Sequence, residues 1–422
     1  MSTVIAVVLQ GAAATPADIA EAAAACGHDV VFVAAAGALD EQAKAVHTPF
    51  GPLVEYDSDD PQTALSRLRE YRPAGITTFS EGMVPLTCEV ATGVELPYHD
   101  RDTVALITDK WAQRQRLAES GVDALWSAIV TSREEALAAA GSRPGPVVVK
   151  PARSWSSQDT HLAVGAAGFP AGLTPGPDRP FVIEDYLVGV DEGDFGDYIS
   201  VESLIADGQT YKLGVTGKFG LLSPFREQGQ FLPTHLPAAR TEEAVQLATR
   251  AAQALGVRQG LVHTEMKLTA DGPRIIEVNG RLGGFHAELY QRATGQNLLE
   301  LEISVACGQP VAPVSGTAGT IEFHFWNQPP LEGGTLRRVD GADHVRRESG
   351  VIDYRPRVPI GRELAPNVMT FQLDLLRGSA PDHETMIKTV DQCLAQLRFT
   401  FEQPDGATRV WQASRSGLCV LD

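Results

Sequence analysis

The chain has 422 residues, 43% of them hydrophobic, enough to bury more than one core and to form two or three domains. Its formal charge of −18 disfavours broad binding to nucleic acid or anionic membranes, because both draw affinity from Lys and Arg that neutralise phosphate. MSTVIAVVLQGAAATP lacks a basic leader and is broken by Gln10 and Gly11, no apolar run is long enough for a membrane span, and Cys26, Cys88, Cys307, Cys393 and Cys419 show no CxxC spacing, so the expectation is a cytoplasmic protein without a zinc site or disulfide framework.

In chain order, VIAVVLQ reads as a strand, PADIAEAAAACG as a helix ended by glycine, and DVVFVAAAG as a second strand. This alternation implies an open parallel sheet, which GITTFSEG continues. Neither GxGxxG nor GxxxxGKS/T follows the first strand, which excludes the two commonest phosphate loops there. TDKWAQRQRLAESG reads as a helix capped by Thr108 and stopped at Gly121. Then come the strand GPVVVK, the serine-rich loop ARSWSSQDT, the strand THLAV, the strand PFVIEDYLVG, the acidic loop DEGDFGD and the strand YISVESLI. TEEAVQLATRAAQALG is an amphipathic helix, ELYQRATGQNLLELEISVACG gives helices broken at Gly295, and the last hundred or so residues mix short strands with a helix near HETMIKTVDQCLAQL.

The most informative stretch is GLVHTEMKLTADGPRIIEVNGRLGGFH. It reads as a hairpin turning at Ala270, Asp271 and Gly272. Folding about Asp271 sets Glu265 opposite Glu277, and period-two alternation puts Glu277, Asn279 and Arg281 on one face with Ile276 and Val278 on the other. Two carboxylates side by side call for a cation, and two acids with an asparagine suit Mg2+, whose remaining ligands are commonly phosphate oxygens and water. Gly283 and Gly284 then allow a close backbone approach. Phosphate needs basic partners: Lys150 ends a buried strand at a sheet edge, Lys110 stands in the first turn of its helix, where the macrodipole favours acids, and Lys218 lies in VTGKFG.

Together, DK at 109 to 110, VVVKP at 147 to 151, VIEDYLVG at 182 to 189, and HTEMKL followed by IIEVNGRLGG resemble the ATP-grasp superfamily, and within it the carboxylate-amine ligases, the group of L-amino acid ligases and carnosine synthase. The resemblance implies a mixed α/β and α+β ATP-grasp fold: an N-terminal Rossmann-like parallel-sheet domain over 1–107, an ATP-grasp domain over 108–310 with a nucleotide lid at about 126–188, and a small C-terminal α+β subdomain over 311–422. It also implies ATP contacts by Lys110 and Lys150, an adenine hinge at Glu184, Asp185, Tyr186 and Leu187, and a ribose contact by Asp191 or Glu192, with Asp197 competing. Mg2+, or Mn2+ in its place, would be held by Glu265, Glu277 and Asn279. Arg281 would stabilise an acyl phosphate, Glu227 would meet a substrate amino group, and Gly284, Phe285 and His286 would line the substrate pocket. ARSWSSQDT departs from the family's glycine-rich phosphate loop by offering serines and Trp155, and DEGDFGDYISVE is longer than its usual counterpart.

The activity so implied is ATP-dependent amide formation between small-molecule carboxylate and amine substrates, amino acids foremost, releasing ADP and phosphate from what is expected to be a homodimer. Two alternatives are acyl transfer to a carrier-protein thiol or carboxylase-like chemistry, and a non-catalytic nucleotide-binding protein.

Overall fold

The computed structural model describes residues 3–10, 13–155, 157–314, 316–369 and 371–421. The sequence readings at Met1, Ser2, Gly11 and Ser156 lie outside the described residues.

Four parallel strands lie in the order Leu53–Tyr56, His28–Ala35, Thr3–Val8, Pro73–Thr78. Ile5, Ala6, Val7 and Val8 are buried without alternation, as expected where helices cover both faces. The helix Pro16–Ala25 starts on a capping box: the Asp18 amide donates to Thr15 Oγ1 at 3.2 Å, and the Thr15 amide to Asp18 Oδ2 at 3.1 Å. At Gly75 a Cβ would lie 2.2 Å from the Ala306 carbonyl oxygen, so only glycine lets this sheet rest against the helix Leu298–Ala306. Glu302 of that helix is buried and accepts from Thr77 Oγ1 and from the Leu261 amide, both at 2.6 Å. One core, including Ile5, Phe32, Leu204, Leu261 and Leu298, therefore spans the parallel sheet and its neighbour.

That neighbour is an eight-stranded antiparallel sheet in the order Gly272–Asn279, Gly260–Thr269, Tyr198–Ala206, Gln209–Lys218, Gly229–Leu232, Ile321–Phe325, Asp374–Ala380, Val351–Pro356. A four-stranded antiparallel sheet, Ser127–Val130, Phe181–Asp185, Pro146–Pro151, His161–Val164, stands apart with its own core around Val147, Val149, Phe181 and Ile183. The stretch read as a C-terminal α+β subdomain divides its strands. Three join the eight-stranded sheet, while Glu363–Leu364, Gly334–Asp340, Arg398–Glu402, Thr408–Ser414 and Gly417–Leu421 form a separate five-stranded sheet.

One helix boundary differs from the sequence reading. Thr108 ends a helix, Arg101–Thr108, and the next, Lys110–Glu119, is capped by Asp109, whose carboxylate accepts from the amides of Trp111 and Ala112. Aspartate is the better N-cap here because its carboxylate also complements the macrodipole. Among the described residues no helix is long and apolar enough to cross a membrane, and all five cysteines are free.

Candidate active site

The hairpin strands Gly260–Thr269 and Gly272–Asn279 pair Glu265 with Glu277 and His263 with Asn279, the register expected from sequence. Nearer the turn the register shifts by one at Ile276, and Met266 pairs with Ile275. This bulge corrects the expected facing: Ile275 and Val278 are buried, whereas Ile276 lines the same cavity as Glu277. Arg281 also lies beyond the strand, which ends at Asn279.

Strand Gly272–Asn279 is a sheet edge, and side chains cover its outer backbone. Asp123 accepts the Ile275 amide at 2.7 Å; Arg114 donates to the carbonyls of Ile275 and Ile276 at 2.6 and 2.8 Å; Gln113 exchanges two hydrogen bonds with Val278, both at 2.8 Å. The helix Lys110–Glu119 is thereby fixed along the hairpin. Lys110, one turn before Arg114, reaches Glu277 at 2.9 Å and donates to the Ser154 carbonyl. Its position at a helix start, unfavourable to the macrodipole, is offset by the carboxylate it meets.

Lys150 projects from the strand Pro146–Pro151 of the four-stranded sheet, on the side opposite that sheet's core of Val147 and Val149. Its ammonium donates to Glu184 Oε1 at 2.7 Å, and the Arg114 guanidinium grips the same carboxylate at 2.8 and 3.2 Å. Burial raises the Glu184 carboxyl, but Arg114 and Lys150 outweigh it and hold the group at about 2. Burial lowers Lys150 against the opposing pull of Glu184. Arg114 thus joins the four-stranded sheet to the bulge.

Beneath Glu265 lies a buried polar chain. His263 contacts Glu202 at 2.6 Å and Glu265 at 3.1 Å, and His286 contacts Glu202 at 3.2 Å. Burial disfavours a charged His263, yet Glu202 and Glu265 raise it to about 9; burial drives His286 down to about 3. A Cβ at Gly283 would meet His263 and His286 nitrogens at 2.6 Å. Gly283 is therefore required by histidine packing, whereas Gly284 has open space and lines the cavity, so only Gly284 is placed for the close approach that sequence suggested for both.

Arg281 pairs with Glu81 at 2.6 Å, and burial raises the Glu81 carboxyl despite that partner. Lys218 is buried, donates to Gln230 at 3.0 Å and lies 4.0 Å from Glu227.

Most of these groups open onto one cavity of about 1270 Å³, with Gln113, Asp123, Glu202 and Gly283 outside its lining. Lys110, Lys150, Glu184, Asp185, Tyr186, Leu187, Glu227, Glu265, Glu277, Asn279, Arg281, Gly284, Phe285 and His286 line it. Asp191 and Glu192 do not, contrary to the sequence expectation. The Val190 amide is tied to the Leu268 carbonyl at 2.8 Å, after which Glu192 pairs with Arg240 at 2.7 Å and His235 at 3.2 Å, away from the wall. Asp197 is absent from the wall as well, but it pairs at 2.6 Å with Lys267, which lines the cavity and lies over the Tyr186 ring. The sequence reading missed Arg114, Glu81, His263 and Lys267. The alternation that selected Glu277 and Asn279 selects His263, Glu265 and Lys267 on the partner strand, and Lys110 with Arg114 keeps the four-residue spacing of one helix face. Glu81 carries no comparable sequence signal.

Residues 177–291 match the ATP-grasp domain family. Carnosine synthase 1 of Gallus gallus is 35% identical over 124 residues, which cover 28% of this chain and 13% of that protein. Alanine--anticapsin ligase of Bacillus subtilis (strain 168) is 26% identical over 223 residues, 47% of this chain and 46% of the relative. The chain thus spans less than half the length of either relative. The L-amino acid ligase from Bacillus licheniformis superposes with a TM-score of 0.75 at 21% identity, covering 94% of this chain and 98% of the other. The ATP-grasp match is thus confined to residues 177–291, while the fold of the chain is that of the L-amino acid ligase structure.

Proposed function

We propose that the protein is an ATP-dependent ligase that joins a carboxylate to an amine, both from amino acids, through an acyl phosphate, releasing ADP and phosphate. The observation that carries this reading is the opposition of Glu265 and Glu277 across a hairpin, beside Asn279, in a cavity that also holds Lys110, Lys150, Lys218 and Arg281. On this reading residues 1–107 would be the N-terminal domain and 108–310 the ATP-grasp domain, with the lid at about 126–188, while the strands of 311–422 divide between the eight-stranded sheet and a five-stranded sheet of their own.

Two carboxylates and an amide oxygen form a hard donor set, and their paired like charges favour a divalent cation. Glu265, Glu277 and Asn279 would hold Mg2+ or Mn2+, which would supply charge neutralisation at phosphate oxygens. The chain's own groups do the positioning. Lys110 and Lys150, both buried, would exchange their present contacts with Glu277 and Glu184 for ATP phosphates, while Tyr186 and Leu187 would bound the adenine. A donor carboxylate oxygen attacks the γ-phosphorus, forming a C–O–P link as the bond to ADP breaks. Arg281, with its planar fork, suits the resulting acyl phosphate. The acceptor's neutral amine attacks the acyl carbon, a C–N bond forms, phosphate leaves with the C–O electron pair, and the surplus proton passes to Glu227.

Purified protein given Mg-ATP and amino acids singly and in pairs tests the reading, with ADP, AMP and phosphate quantified. ADP and phosphate that depend on particular pairs support it. ADP that depends on one carboxylate but on no amine favours a carrier thiol or bicarbonate, and AMP rules out the acyl phosphate.

A further inference from the structure

Past Gly284 the cavity continues to a wall that the nucleotide and acyl-phosphate roles leave unused. Phe285 has a left-handed backbone, φ +61°, which turns the chain into the helix His286–Thr294 and sets its ring on the cavity wall. That ring lies 5.7 Å from the Trp326 ring, centroid to centroid, and the Arg357 guanidinium sits over it at 5.4 Å. Neither neighbour is loose. Trp326 Nε1 donates to the Glu227 carbonyl at 2.7 Å; Arg357 donates from its backbone to Leu373 at 2.8 Å and from its side chain to Gln372 Oε1 at 3.0 Å.

The charges on this wall do not cancel. Arg292, Arg355, Arg357 and Arg377 all line it. Arg292 pairs with Glu288 and Glu322, Arg377 with Glu288 and Asp353, and Arg355 with Asp353. Four guanidinium groups thus face three carboxylates, and among the described residues Arg357 has no carboxylate partner. In a chain of net charge −18 this local excess of positive charge is the reverse of the average surface. A guanidinium resting on an aromatic face keeps its edge donors available, in the planar arrangement that matches a carboxylate. Glu227, on the same cavity and tied through its backbone to Trp326, is the group assigned above to the acceptor's amine.

The geometry points to Arg357 as a specificity-determining residue that grips a carboxylate on the acceptor, so that the acceptor is an amine bearing an acidic group and neutral amines are excluded. The inference rests on the ligase reading, whose amino-acid acceptor carries a carboxylate, and assigns the residue that recognises it. With Glu227 at the amine and Arg357 at the acid, the acceptor is held at both ends, and the ring pair of Phe285 and Trp326 flanks its body.

The test compares acceptors on one enzyme-bound acyl phosphate. Wild type, Arg357→Gln and Arg357→Lys are supplied with Mg-ATP, a donor amino acid and one of three acceptors: an amino acid, the amide of that amino acid, or hydroxylamine. Hydroxylamine attacks the same acyl carbon, giving a hydroxamate and phosphate, and has no acid for Arg357 to bind. Wild type is expected to use the amino acid at least tenfold better than its amide in kcat/KM. Arg357→Gln is expected to lower the ratio of amino-acid to hydroxylamine kcat/KM at least tenfold, mainly through the amino-acid KM, and Arg357→Lys to recover part of it. Equal use of amino acid and amide by wild type, or an unchanged ratio in Arg357→Gln, overturns the assignment while hydroxamate formation leaves the ligase intact. Absence of hydroxamate with every donor overturns the ligase reading, and the assignment falls with it.

Discussion

Lys110 Nζ lies 2.9 Å from Glu277 Oε1, so the first residue of a helix and the cavity face of an edge hairpin share one ion pair. A cation and a phosphate entering this cavity would separate them, each taking one partner. Glu277→Ala is expected to lower kcat for ADP formation by at least about 100-fold, the scale of losing one preorganised electrostatic contact, with the circular dichroism spectrum unchanged. Chelation by EDTA should stop the wild-type enzyme, and Mg2+ or Mn2+ should restore it. Near-normal ADP release by Glu277→Ala would remove the metal role from this residue.

Glu184 is held between Arg114 and Lys150, and its replacement leaves two buried cations without a carboxylate. Glu184→Gln should cost about 3–5 kcal/mol at neutral pH. The pH dependence follows from the sign of the shift. The Glu184 carboxyl titrates near 2 in the fold against an ordinary value of 4.5, so its contribution is complete above about 4.5 and is lost as pH falls toward 2. Urea midpoints of wild type and Glu184→Gln should therefore converge across that window. A gap that stays constant from pH 7 to pH 2 would show that the carboxylate is not the stabilising species.

The adjacent glycines should behave oppositely. Gly283→Ala forces a methyl group to within 2.6 Å of two histidine nitrogens and should destabilise by about 1–3 kcal/mol. Gly284→Ala meets nothing within 4 Å and should stay within about 0.5 kcal/mol of wild type. Thermal denaturation of both variants checks the pair, and equal losses would contradict the packing described for His263 and His286.

Glu192 faces Arg240 and His235 outside the cavity wall. Glu192→Gln should leave the KM for ATP within about twofold of wild type, whereas Lys150→Met should raise it at least tenfold. A large KM effect at Glu192 would return it to the ribose position that the sequence offered.

Much of this site was legible because it lies on regular elements. Period-two alternation in RIIEVNGR and a short turn are enough to bring Glu265 against Glu277, and the parallel N-terminal sheet follows from strand and helix alternation. The bulge at Ile276 was not legible, because it depends on Arg114 and Asp123 taking up the edge strand's backbone from residues about 150 positions away in sequence. Asp191 and Glu192 were misplaced for a related reason: a loop's direction is set by contacts such as Val190 with Leu268, which no local pattern encodes. Lys110 looked unfavourable at a helix start until its partner across the cleft was known.

Oxygen transfer from the donor tests the acyl phosphate most directly. With the donor carboxylate labelled with 18O, its oxygen becomes the bridge to phosphorus and departs when the amine displaces phosphate. The expected result is one labelled oxygen in each inorganic phosphate released with the amide product. Amide formation with unlabelled phosphate, or with the label in AMP, would contradict the mechanism.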